Sequence, residues 1–178
     1  RDFRAYGIEV AFADDALELL AERAAEEHTG ARGLVSAVER VLLGFEKRLP
    51  SVSVKSFTVT REVVLDPAGQ LQELVTQASL AEFAAAFRSS HQVELTFTRA
   101  AAGRLAALAA QAAVEPAQVC GRLFADYAYG LRLAGRNRYE IDLDTVEAPQ
   151  KELDRLVRAA YSSRDQEPAA GAEAGTSP

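Results

Sequence analysis

In this 178-residue chain the residues best placed to do chemistry are Thr29-Gly30-Ala31-Arg32-Gly33-Leu34. Gly30 frees the backbone to turn sharply, which puts Arg32 in the first turn of the helix that follows. The positive end of the helix dipole already lies there, so a cation is poorly placed. An anion would resolve the conflict, because free N–H groups and a planar guanidinium can converge on a phosphate. Gly30, Ala31, Arg32 and Gly33 are therefore the candidate phosphate-facing residues. The alternative is a solvated surface arginine beside a glycine turn.

Other chemistries find less support. The Gly-x-x-x-x-Gly-Lys-Ser/Thr pattern of a phosphate-cradling loop does not occur in the sequence. His28 and His91 are isolated, and Glu26-Glu27-His28 lacks zinc-ligand spacing, so no metal site is expected. Cys120 lies on an apolar face and reads as core rather than nucleophile. No Ser–His–Asp set can be assembled, and no catalytic residue is assigned. Arg132, Arg136 and Arg138 form the one basic cluster. They follow a helix C-terminus, where cations offset the dipole; contact with nucleic acid or an acidic partner is the other reading.

The elements that must position Arg32 come in two similar sets. Ile8-Glu9-Val10-Ala11-Phe12 reads against Val93-Glu94-Leu95-Thr96-Phe97, an offset of 85. That offset continues through Leu20/Leu105, Ala24/Ala109, Leu34/Val119 and Val38/Leu123. After a three-residue deletion it becomes 82, through Phe57/Tyr139, Val59/Ile141, Val64/Val146, Leu71/Leu153 and Leu74/Leu156. Two units are too few for a solenoid, so the pattern looks like a tandem duplication of one small domain.

The first unit reads as a strand over 8–12 and helices over 14–28 and 31–48. A strand at 57–60, a turn at 66–69 and a helix from Gln70 follow. Leu17, Leu20, Ala21 and Ala24 recur at helical spacing in the first helix, with Asp14 and Asp15 at its start. Leu34, Val38, Val41, Leu42 and Phe45 share a face of the second. The second unit reads as a strand at 93–97, helices at 98–113 and 116–134, a strand at 139–143 and a helix at 150–162. Residues 80–90 are expected to join the units as helix, and the tail from Asp165 to be disordered. The fold class is therefore α+β, mainly α, in tandem strand–helix–helix–strand–helix units. The expected boundaries are 1–80, 81–164 and a 165–178 tail.

Composition excludes several classes. The formal net charge of −6 gives no global attraction to phosphate backbones, and so disfavours a dedicated nucleic-acid binder. No apolar run is long enough to span a membrane, and no membrane partner is expected. One cysteine allows no internal disulfide. Arg1-Asp2-Phe3-Arg4 has no signal-peptide character. These features lead to a cytoplasmic expectation. The sequence holds no methionine, so it is expected to be a piece of a longer or processed protein.

Tyr6-Gly7-Ile8-Glu9-Val10-Ala11-Phe12, an acidic helix start, His28 through Leu34, and Ser36-Ala37-Val38-Glu39 resemble the C-terminal small (lid) domain of ClpX-type AAA+ unfoldases, members of the Clp class. Those proteins carry a Thr-Gly-Ala-Arg-Gly-Leu helix start in this context. Val63-Val64-Leu65-Asp66 resembles their closing segment, so the likeness covers residues 3–67. Disaggregase-type relatives usually have proline where this chain has Gly33, and ClpX proteins commonly have arginine where it has Val35. The resemblance implies that Arg32 is the sensor-2 residue, reaching the phosphates of ATP held with magnesium by a large AAA+ domain. It also implies that the partners are that large domain, neighbouring subunits of a homo-hexamer and protein substrates, with a peptidase as an open alternative. Such a parent would couple ATP hydrolysis to unfolding, while this chain alone would be inert. The second unit sets Glu115-Pro116-Ala117-Gln118 opposite Gly30-Ala31-Arg32-Gly33, losing the cation. A non-enzymatic interaction module of two duplicated domains is the competing reading, and a nucleic-acid-binding helical domain a third.

Overall fold

Two parallel strands cannot be joined by a tight turn and need a long crossover; two helices supply it in the first half of this chain and three in the second. The computed structural model describes residues 3–26 and 30–164. The expectations for His28, Thr29 and the tail from Asp165 lie outside these residues. After a 3-10 turn at Phe3–Tyr6, β1 (Glu9–Phe12) leads into α1 (Asp14–Glu26) and α2 (Gly30–Arg48). β2 (Ser56–Val59) returns parallel to β1, with Glu9 opposite Ser56 and Phe12 opposite Val59. α3 (Arg61–Leu65) and α4 (Pro67–His91) follow.

The second half runs the same course. β3 (Glu94–Phe97), α5 (Arg99–Ala112), α6 (Pro116–Leu123), α7 (Tyr127–Leu133), β4 (Arg138–Ile141), α8 (Leu143–Glu147) and α9 (Pro149–Arg164) succeed one another. β3 lies parallel to β4, with Glu94 opposite Arg138 and Phe97 opposite Ile141. The architecture is mainly helical with short parallel strands, the α+β, mainly-α class expected from the sequence.

Four details correct the sequence reading. Residues 66–69 are not a free turn. Asp66 caps α4 by accepting the Gly69 N–H at 3.0 Å, and Pro67 takes the first helical position. Asp-Pro serves a helix start as well as a turn. The helix expected over 116–134 is broken between α6 and α7, which lets Phe124 and Tyr127 both reach the core. The five-residue helices α3 and α8 are too short for apolar periodicity to register. Leu17 and Leu34, expected on buried helix faces, are exposed.

Each half has its own core. In the first, Leu20, Val41, Phe45, Phe57, Val59 and Val64 pack together, with the rings of Phe45 and Phe57 stacked 5.0 Å apart. In the second, Leu105, Phe124, Tyr127, Leu131, Tyr139 and Ile141 pack together. α4 passes unbroken through residues 80–81, where the unit boundary was expected. Its Leu71, Leu74 and Ala78 pack against the first core, and its Leu80, Phe83, Ala84 and Phe87 belong with the second.

A glycine in each half receives a leucine from a later helix. Gly44 of α2 faces Leu71 of α4, where an added Cβ would stand 3.2 Å from Leu71 Cδ2. Gly130 of α7 faces Leu153 of α9 so closely that a Cβ there would overlap Leu153 Cδ1. Gly130→Ala should therefore destabilise the protein by about 1–2 kcal/mol, overpacking outweighing the gain in helix propensity. At Gly44 only a methyl tip must yield, and Gly44→Ala should be neutral or stabilising by up to about 1 kcal/mol. Chemical denaturation of both variants checks the contrast.

Candidate functional site

α1 opens with Asp14 and Asp15, which answer its dipole, whereas α2 opens with no acid in its first turn. Gly30 begins α2, Ala31 and Arg32 are exposed in its first turn, and Gly33 is buried. Among the described residues none pairs with the Arg32 guanidinium. The first turn of α2 thus combines an exposed cation with the positive end of a 19-residue helix.

The helices around α2 are tied to one another. Arg23 Nη1 donates to the Val64 carbonyl at 3.0 Å, tying α1 to α3 across 41 residues of sequence. Arg23, Glu26 and Arg40 rim a depression of about 320 Å³ floored by Val41 and Val64. Sequence reasoning missed Arg23, because its partner is a backbone carbonyl and leaves no trace in side-chain spacing.

The corresponding helix start in the second half is closed. Pro116 takes the first position of α6, and the Gln118 side chain accepts the Glu115 N–H at 3.3 Å. The Ala117 N–H donates to Ser79 Oγ of α4 at 3.0 Å, and Glu115 pairs with Arg48 at the end of α2. The donors and charge of this helix start are engaged by the same chain.

Other singled-out residues do not converge on a site. Arg138 bonds Glu94 at 2.9 Å across the β3–β4 pair, and Arg132 Nε donates to the Ala128 carbonyl in its own helix at 3.3 Å. Arg136 and Arg138 line one shallow depression with Glu94 and Glu140, whereas Arg132 is engaged within its own helix. Cys120 is fully buried, and burial pushes its thiol up to about 12, far from the thiolate a nucleophile requires. Among the described residues no three His, Cys, Asp or Glu side chains gather as metal ligands. No helix among them is long and apolar enough to cross a membrane.

Comparison with known proteins finds similarity over part of the chain. The family model for the C-terminal, D2-small domain, of ClpB protein matches residues 1–44, which include Gly30, Ala31, Arg32 and Gly33. The ATP-dependent Clp protease ATP-binding subunit ClpX of Bacteroides thetaiotaomicron is 37% identical over 78 residues, 44% of this chain and 18% of that protein. The chain therefore spans less than a fifth of that relative's length. No solved structure matches the chain.

The two arginines near the start of α2 should behave oppositely. Arg32→Ala should change stability by no more than about 0.5 kcal/mol, as surface substitutions away from structural features do. Arg23→Ala should cost about 1–2 kcal/mol, because it removes a charged donor from the part-buried Val64 carbonyl. Urea denaturation of the two variants gives the comparison.

Proposed function

We propose, on the premise that the N-terminal unit of this chain is a C-terminal lid domain of the Clp class of AAA+ proteins, that Arg32 is the sensor-2 arginine of an ATP site. The rest of that site would lie in a large AAA+ domain outside this sequence. The observation that carries the reading is the exposed Arg32, without a partner among the described residues, in the acid-free first turn of α2. Magnesium-bound ATP would supply the phosphoanhydride bond whose hydrolysis drives the parent protein. The Arg32 guanidinium offers planar, permanently charged N–H donors to phosphate oxygens. Gly30 and Ala31 present no bulk beside it, and the positive end of the α2 dipole adds to the same field. Arg23 acts at one remove, as a positioning residue that fixes α1 on α3.

In this reading the parent is a homo-hexamer that couples ATP hydrolysis to unfolding of protein substrates, and the lid packs against neighbouring subunits. The second unit is a degenerate duplicate that keeps the fold and has lost the phosphate-facing arginine. Three repeated features support the duplication: the element order, the strand register and the left-handed residue before each first strand, Gly7 and Gln92. A second reading, a non-enzymatic interaction module, draws support from an open groove of about 980 Å³ between α4 and the β3–α5 segment. A phosphate-cradling lysine loop in the preceding residues of the parent distinguishes the ATPase from that module.

Two activity measurements test the proposal. The purified chain should hydrolyse ATP no faster than background. In the parent, Arg32→Ala should lower ATP turnover tenfold or more, since a charged contact to developing phosphate charge contributes about 2–4 kcal/mol. Gln118→Ala, at the closed helix start, should leave turnover unchanged. Wild-type turnover by the Arg32→Ala parent would remove the sensor role.

A further inference from the structure

The groove between α4 and the β3–α5 segment holds about 980 Å³ and is lined by α4 from Gly69 to Arg88. The buried Leu80 and Leu95 lie at its floor, with the half-buried Phe97 beside them. Its walls are low, formed by Ala81 and Ala84 of α4 and Gly103 of α5, and Ala81 and Gly103 are exposed. An apolar trough with such walls admits another helix at close range, because the distance between helix axes follows the size of the side chains at the contact.

Four charged side chains line the groove: Glu73, Arg88, Glu94 and Arg99. Glu94 is engaged by Arg138 across the β3–β4 pair. Arg88 and Arg99 have no ion-pair partner among the described residues. Glu73 meets only the side-chain amide of Gln77, at 3.4 Å. Glu73 and Arg88 lie on one face of α4, 15 residues apart, or about 22 Å along the helix axis.

A helix face with an acid near its start and a base near its end is complementary to its own reverse. When two copies of α4 lie antiparallel with Leu80 opposite Ala81, Glu73 of each copy stands opposite Arg88 of the other. The same register sets Gln77 opposite Ala84, so a larger side chain meets a small one. Antiparallel helices also bring unlike dipole ends together. A parallel arrangement in register would set Glu73 against Glu73 and Arg88 against Arg88.

From this we infer that the α4–α5 groove is the seat of a second copy of this chain, with the two α4 helices antiparallel about a two-fold axis and each lying in the other's groove. Such an interface uses the same patch twice and closes at the dimer. Apolar burial supplies the attraction, and the paired charges set the direction. The net charge of −6 on each copy opposes association. Salt screens that repulsion beyond about 8–10 Å, so the charges that face each other across the groove decide. The pairing concerns α4 and the second half, and it does not depend on the ATP role proposed for Arg32.

Sedimentation velocity on the purified chain, without nucleotide, tests the inference. The weight-average mass should rise with concentration from 19.2 kDa towards twice that value and stop there. Glu73→Arg and Arg88→Glu each turn both ion pairs of the dimer into repulsions, so either change should weaken dimerisation at least tenfold. Neither residue belongs to a core, and circular dichroism should show both variants folded as the unaltered chain is. Both changes in one chain exchange the charges and should restore the dimer. Mixing the two single variants should restore it as well, because every acid then faces a base across the heterodimer. A chain that stays monomeric up to its solubility limit overturns the inference. So do a dimer indifferent to both reversals, growth beyond the dimer, and single variants that fail to recombine when mixed.

Discussion

The arrangement of this protein depends on one helix serving two hydrophobic cores. α4 is 25 residues long, about 37 Å at the usual rise. Its N-terminal part closes the first core with Leu71 and Leu74, and its C-terminal part opens the second with Leu80, Phe83 and Phe87. Beyond Gly69 it contains neither glycine nor proline, and Ala, Leu, Gln and Glu dominate, so nothing in its local chemistry favours a break. A straight helix that must satisfy both cores fixes the two halves relative to each other. Arg48–Glu115 and the Ala117–Ser79 hydrogen bond reinforce that relation from the side.

This constraint explains why the two halves treat one structural position differently. The start of α6 lies against α4, so its N–H groups and its acidic cap residue find partners within the chain. A cation there would compete with Arg48 for Glu115. The start of α2 has no such neighbour among the described residues, and it keeps an arginine that the helix dipole opposes. The same position is thus a sealed joint in one half and an open, positively charged end in the other.

The cores diverge for a related reason. Where the first half places Leu42, Phe57 and Val63, the second places Tyr127, Tyr139 and Thr145. Burying hydroxyls requires partners. Tyr127 Oη donates to the Pro149 carbonyl at 2.8 Å, and Thr145 Oγ1 donates to Asp142 Oδ1 at 2.7 Å. The Thr145 hydroxyl, and after it the Thr145 N–H, hold the Asp142 carboxyl below the ordinary carboxylate range, so it caps α8 as an anion. Among the described residues no fully buried side-chain polar atom lacks a partner.

Much of this was legible in the sequence, because strand alternation, helical spacing and caps are local signals. They marked the four strands, the helical pairs and the repeat offsets of 85 and 82. They also singled out Arg32, since a cation at a helix start conflicts with the dipole whatever the fold. Short-range signals could not distinguish Asp66 as a turn residue from Asp66 as a cap, nor register the five-residue helices α3 and α8. Leu34 and Val119 carry the same pattern, yet only one is buried, because burial depends on whether another helix lies over that face. The contact between Arg23 and the Val64 carbonyl, the passage of α4 through both cores and the sealing of the α6 start by Ser79 were decided by tertiary structure alone. Each joins atoms distant in sequence, and no local spacing encodes such a meeting.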